Sequence, residues 1–198
     1  RPSHDIIPPR RQREALTPAR TASSPRNVTM SRNVETNVRP YRDEADYWRI
    51  REFLREAFLL NDRLERSWSV PRLDYWRWHH IKTCGAEPMP EVTFLWETAA
   101  GRLVAVLHSL STPEAYLHVH PSFRSAALEN EMFARAEDCF SRTNAAGGKV
   151  LFTLADEDDG LRREVLERRG YRRRDSPVYR WRRDLDDPLP TASAPAGY

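Results

Sequence analysis

Leu117-His118-Val119-His120-Pro121-Ser122-Phe123-Arg124-Ser125-Ala126-Ala127-Leu128-Glu129 reads as a short strand, a proline turn and the first turn of a long amphipathic helix. A helix that starts directly after a strand presents unpaired N–H groups and the positive end of its dipole, a combination suited to an anion such as phosphate. Arg124 strengthens that expectation. Glu129 opposes it, because a carboxylate ~5 Å from a phosphate charge costs on the order of 3 kcal/mol at an effective dielectric of ~20. Acids also favour the first helical turn for their own sake, so the helix is expected to satisfy its anion site internally through Glu129.

Outward from this turn the chain divides by composition. Residues 1–33 carry seven arginines against Asp5 and Glu14, a net of +5, so the remaining 165 residues hold 25 basic and 27 acidic side chains, a net of −2. The overall +3 therefore belongs to the leader. The near-neutral remainder lacks the basic face that nucleic-acid binding needs. Arginine outnumbers lysine 30 to 2, which reflects a GC-rich coding bias. Residues 1–36, rich in Pro, Arg, Ser and Thr, are expected to be disordered, with the part upstream of Met30 non-native. Residues 37–185 form one domain with room for a sizeable core. Residues 186–198 are expected to be a Pro-rich linker, leading to a second domain.

The domain's periodicities are readable. Asn37–Tyr41 is a short strand. Asp43 caps a helix to about Leu60, with Tyr47, Ile50, Leu54, Ala57 and Phe58 on one face. A helix follows from Leu73 to Thr83, and Gly85 ends it. Val92–Glu97 and Arg102–His108 are strands joined by a hairpin signal at residues 98–101, and Ala115–His120 is a third. A helix from about Ser125 to Thr143 places Leu128, Met132, Ala136, Cys139 and Phe140 at helical spacing. Val150–Ala155 is a strand, Asp159–Arg169 a helix stopped by Gly170, and Tyr171–Asp175 with Val178–Asp184 a closing pair of strands.

Cys84 and Cys139, far apart and in unlike contexts, offer neither a disulfide framework nor zinc spacing, and they fit a reducing compartment. The longest aliphatic run, Leu103–Leu107, is too short to span a bilayer. With no signal-peptide pattern, the expected location is the cytoplasm, away from membranes.

The order of elements over residues 37–184 resembles the GNAT N-acetyltransferase family, an α/β (α+β) fold. It is expected to have a mixed, mostly antiparallel central sheet of six to seven strands with helices on both faces. Val119-His120-Pro121-Ser122-Phe123-Arg124 resembles that family's V-x-P-x-x-R/Q turn, and Leu166-Glu167-Arg168-Arg169-Gly170-Tyr171 its closing L/Y-E-x-x-G-F/Y motif. The resemblance implies transfer of an acetyl group from acetyl-CoA, as co-substrate, to an amine on a small molecule or peptide. It also implies a cofactor site at Leu117, His118, Val119, Arg124, Ser125, Ala126, Ala127, Leu128 and Glu129. In the family's R/Q-x-x-G-x-G/A pattern Arg124 takes the first place, Ala127 the first glycine and Glu129 the last small residue. Where many members carry an acidic tyrosine, this chain has Leu166. Tyr171 and Tyr179 lie nearby, and Glu97, Glu114, His118 and His120 are the candidate general bases, none of them assigned. Because the cofactor pattern is degenerate, the chain is also similar to the N-terminal half of a tandem GNAT protein, a structural or regulatory module beside a second GNAT domain.

His118 and His120 share one face of a strand, a metal-compatible geometry without a third ligand; no metal is expected, and polar pocket lining or core histidines fit better. Trp68, Trp76 and Trp78 are either core packing against the sheet or an aromatic wall for a cationic amine. The arginines at 162, 163, 168, 169 and 172–174, interleaved with acids, read as a solvated charged surface.

Overall fold

The computed structural model describes residues 35–178. The closing strand expected at Val178–Asp184, the leader before residue 35 and the linker 186–198 lie outside the described residues or almost entirely so.

Strand β1 (Thr36–Pro40) leads into α1 (Glu44–Leu60), whose N-cap Asp43 accepts from Ala45 N–H at 2.9 Å and Asp46 N–H at 3.4 Å. After a loop, α2 (Val70–Tyr75), a π-helical turn (Trp76–His80) and α3 (Ile81–Cys84) form one continuous helical rod. The rod starts earlier than the periodicity suggests because Pro71 sits inside its first turn, where a missing N–H costs nothing. Gly85 ends it at φ +66°, a left-handed position that glycine adopts without a Cβ clash. A short α4 (Met89–Val92) precedes β2 (Thr93–Thr98), β3 (Leu103–His108) and β4 (Glu114–Val119). Then come α5 (Ala126–Phe140), the two-residue strands β5 (Arg142–Thr143), β6 (Lys149–Val150) and β7 (Phe152–Thr153), and α6 (Gly160–Arg168).

The main sheet has five strands in the order β1-β2-β3-β4-β7, and β5-β6 form a separate hairpin. The first three pairings are antiparallel, and β4 and β7 run parallel. This is the mixed, mostly antiparallel α/β architecture expected, with a smaller main sheet than six to seven strands. The reason is local. The stretch expected as one strand, 150–155, is shared between two ladders, with Val150 opposite Arg142 and Phe152 opposite Glu114. Residues 171–175 form no strand.

Helices cover both faces. On one, Phe53 of α1 lies 6.5 Å from the His120 ring, and Trp68 and Trp76 lie 4.1 and 4.6 Å from His108. On the other, Phe140 of α5 meets Phe94, and Glu131 accepts a 2.7 Å bond from the Trp96 indole. Between them Leu95, Trp96 and Val104 to Leu107 are fully buried. Each valine or leucine among them contributes roughly 1.5–3 kcal/mol of transfer free energy.

Two expectations on α5 need correction. The helix ends at Phe140, because Ser141 turns extended and Asn144 starts a tight loop, accepting from Ala146 and Gly148 N–H. Cys139 is exposed, not part of the apolar stripe. The buried positions Leu128, Glu129, Met132, Phe133, Ala136 and Phe140 define a narrower stripe that leaves residue 139 outside.

Candidate functional site at the fork between β4 and β7

β4 and β7 pair only at Glu114–Phe152 and Ala115–Thr153. Beyond Ala115, β4 continues along β3, with His120 N–H still bonded to Val104 O at 2.8 Å, while the other chain leaves toward α6. The sheet therefore forks. The mouth holds a cavity of about 230 Å³ lined by Asn61, Arg66, Ser67, Val119, Pro121, Arg124, Asp159 and Arg162.

The deep end of the fork is a charge cluster built from two helix starts. Ser125 caps α5, its Oγ accepting from Leu128 N–H at 3.2 Å, and Asp159 caps α6, accepting from Arg162 N–H at 3.1 Å. Arg124 donates from Nε to Glu129 at 2.6 Å and from a terminal nitrogen to Asp159 at 2.5 Å. Arg162 donates from Nε to the second Glu129 oxygen at 3.0 Å. Glu129 is 0% exposed, so its carboxylate does not turn to solvent but sits among two guanidinium groups and the positive ends of two helices. Burial raises the Asp159 carboxyl pKa, yet the Arg124 bond and the Arg162 N–H outweigh it and hold the group below its ordinary value. Burial likewise disfavours the Arg124 cation, and Glu129 and Asp159 more than compensate.

The other expected cofactor-site residues surround this cluster. Val119 and Arg124 line the cavity. Leu117 and Leu128 are in the core, Ala126 packs against it, and Ala127 is exposed. His118 is buried, its Nδ1 accepting from Trp68 N–H at 3.4 Å and its Nε2 lying 2.9 Å from His108 Nε2, with the Arg162 and Arg72 cations further opposing its protonation. With Nδ1 accepting, Nε2 carries the proton and donates to His108. Burial keeps both rings neutral: His118 is brought down to about 3, and His108 well below its ordinary value.

The candidate bases and acids are held by other partners. Glu97 receives Arg39 at 2.7 and 2.9 Å and Arg49 at 2.5 Å. Glu114 accepts from Tyr116 OH, and His120 Nδ1 from Ser122 N–H. Tyr171 OH donates to Glu137 at 3.1 Å, and Leu166 packs against the core. Tyr179 lies outside the described residues. Among the described residues no group of three or more His, Cys, Asp or Glu is arranged to hold a metal ion. Trp68 and Trp76 are core residues, whereas Trp78 is half exposed and bonds Tyr47 OH at 3.1 Å. No described helix is long and apolar enough to cross a membrane.

Asn61, Arg66 and Ser67, which the sequence does not single out, complete the site, together with Asp159 and Arg162, which it reads only as a helix start and as charged surface. The loop after α1 reverses through Asp62 and Arg63, both at positive φ (54° and 61°), and brings Arg66 within 2.7 Å of Asp158 across the mouth. Only the cap pattern Asp159-x-x-Arg162 carried a signal. The arginine that reads as solvated surface is buried because a carboxylate 33 positions earlier meets it.

No protein-family model matches the chain, and no curated protein matches it by sequence. Solved structures do resemble it. A GCN5-related N-acetyltransferase from Sphaerobacter thermophilus superposes with a TM-score of 0.52 at 15% identity over 69% of this chain. The match spans 43% of that protein, less than half its length. A predicted acetyltransferase from Clostridium acetobutylicum, solved with acetyl-CoA, has a TM-score of 0.48 at 13% identity, over 73% of this chain and 95% of its own. The strand order, the parallel β4–β7 pair and its fork, together with the first of these likenesses, give the chain the GCN5-related N-acetyltransferase fold.

Proposed function

We propose that this domain is the non-catalytic, GNAT-fold half of a larger acetyl-CoA-dependent N-acetyltransferase acting on an amine of a small molecule or peptide, with a second GNAT domain supplying the chemistry. One observation carries this reading. Glu129 fills the place where the fold would seat a coenzyme phosphate, fully buried and bonded to both Arg124 and Arg162. The frame Leu117, His118, Val119 and Arg124 to Glu129 keeps the shape of a cofactor edge, but its anion is internal. Acetyl-CoA does not fit these residues in the family's manner: a phosphate seated on the α5 N-terminus itself, as distinct from one at the mouth of the fork, would have to displace a carboxylate paired in a buried site, where removing one partner costs about 3–5 kcal/mol. The 43% coverage of the Sphaerobacter thermophilus protein supports a module within a longer chain.

The competing reading, a self-sufficient acetyltransferase, is favoured by the open fork and its cavity. Calorimetric titration of the chain with acetyl-CoA separates the two. A ligand at 100 times its Kd stabilises a fold by ~2.7 kcal/mol. The expected result is no binding heat and no thermal shift at millimolar acetyl-CoA. Saturable binding, weakened by Arg124→Ala and strengthened by Glu129→Gly, would establish the self-sufficient enzyme instead.

A further inference from the structure

We propose that the fork cavity is a binding site for a small organic dianion, a dicarboxylate or a phosphate monoester, held by Arg66, Arg124 and Arg162. The proposal rests on the reading that Glu129 excludes the coenzyme. Three arginines from three elements line one cavity: Arg66 from the loop after α1, Arg124 from the turn before α5, and Arg162 from the first turn of α6. Their donors outnumber the acceptors available. Arg162 commits only Nε, to Glu129; Arg124 commits Nε and one terminal nitrogen; Arg66 commits one terminal nitrogen, to Asp158. The remaining guanidinium nitrogens have no hydrogen-bond partner among the described residues.

The acceptors, by contrast, are in use. Both Glu129 oxygens and both Asp159 oxygens already receive bonds from Arg124, Arg162 and the Arg162 backbone. Asp158 is largely exposed, where water screens it. Arg162 is buried and Arg124 and Arg66 are partly so, and together they keep spare N–H donors toward the cavity, while the two buried carboxylates Glu129 and Asp159 have none of their oxygens free. A ligand that completes this site brings acceptor oxygens and negative charge, in the planar or tetrahedral form a guanidinium fork binds bidentately. Size limits it further. About 230 Å³ falls below the roughly 300–1,000 Å³ of pockets for drug-sized ligands, which suits a small metabolite. Such a ligand would tie the loop at Arg66 to the starts of α5 and α6, which gives a non-catalytic module something to sense.

The test is calorimetric titration of the full chain with succinate and with inorganic phosphate at constant ionic strength, alongside chloride and acetyl-CoA. Saturable binding of succinate or phosphate, absent with chloride, is expected. R66Q should weaken it at least tenfold without moving the ligand-free unfolding midpoint, since the Arg66–Asp158 bridge is exposed at Asp158. D158N, which removes that bridge but keeps the guanidinium, should bind at least as tightly as the unaltered chain. No saturable binding of either anion, or equal binding by R66Q, would overturn the site while leaving the closed-coenzyme reading intact if acetyl-CoA is also silent. Binding of acetyl-CoA would overturn both, because the cavity would then be a piece of a working coenzyme site.

Discussion

Arg162 of α6 donates to Glu129 of α5 at 3.0 Å, and seven residues on, Arg169 bonds Glu137, eight residues beyond Glu129, at 2.9 Å. The two helices therefore run parallel, joined by a rung at each end. Parallel helices bring like dipole ends together, and at the N-terminal rung two carboxylates, Glu129 and Asp159, neutralise both positive ends at once. Stability and the closed anion site thus depend on the same atoms.

Removing the central carboxylate should be costly. Glu129→Gln removes the ion-pair partner of Arg162 in a buried position, leaving it only the nearby charge of Asp159, and the loss is expected at about 3–5 kcal/mol. Urea denaturation checks it. Millimolar inorganic phosphate should recover part of the loss in the variant by supplying the missing charge; a loss under 1 kcal/mol would mean the cluster is dispensable.

Acid should destabilise the protein earlier than its carboxylates alone predict. His118 titrates near 3 when folded and near 6.5 when unfolded, so between those values only the unfolded chain takes up the proton. Stability is fully held above about pH 6.5; His118 alone removes about 1.4 kcal/mol per pH unit below it, and His108 and His120, both also depressed by burial, steepen the fall. The depressed carboxylates Asp46, Glu97 and Asp159 add their losses only at lower pH. Unfolding measured from pH 7.5 to 4.5 should slope downward from about 6.5, and the double variant His108→Phe, His118→Leu should flatten that range.

The network binding β1, α1 and β2 should rank next. Arg39 grips Asp46 through two 2.6 Å bonds and Glu97 through two more. Arg39→Ala is expected to cost about 3 kcal/mol, since it leaves a nearly buried Asp46 with weaker partners. Arg55→Ala, which breaks an exposed pair with Glu52, should leave the midpoint unchanged within error. A comparable loss in both variants would show that burial is not the deciding variable.

Ser125→Ala should cost about 1 kcal/mol by exposing Leu128 N–H at the start of α5. Ser125→Asp should restore it. Thermal unfolding of the three proteins decides this, and no loss in the alanine variant would mean water replaces the cap.

Most of the architecture was legible because it is written in local periodicity. The α1 face, the β2–β3 hairpin and the strand-to-helix turn at 117–129 each carry their pattern within a few turns of chain. What escaped depends on distant partners. Arg162 lies in a run of arginines and acids that reads as solvent-facing, and only the approach of Glu129 makes it buried. The strand at 150–155 was legible, but not its division between two ladders: whether Val150 pairs with Arg142 and Phe152 with Glu114 depends on distant partners. Cys139 misled because one helical step from Phe140 separates the buried stripe from solvent.

The two-residue ladder between β4 and β7 has a consequence for motion. Beyond Ala115 the main-chain hydrogen bonds that knit a sheet are missing there, and the rungs between α5 and α6 take over their task. β7 and α6 then form a flap beside Glu114–Ala115, fastened by these charged rungs together with Val165, Leu161 and Leu166 packed on the core. Its amides should exchange with solvent together, and faster in high salt, ahead of the apolar core of β2 and β3.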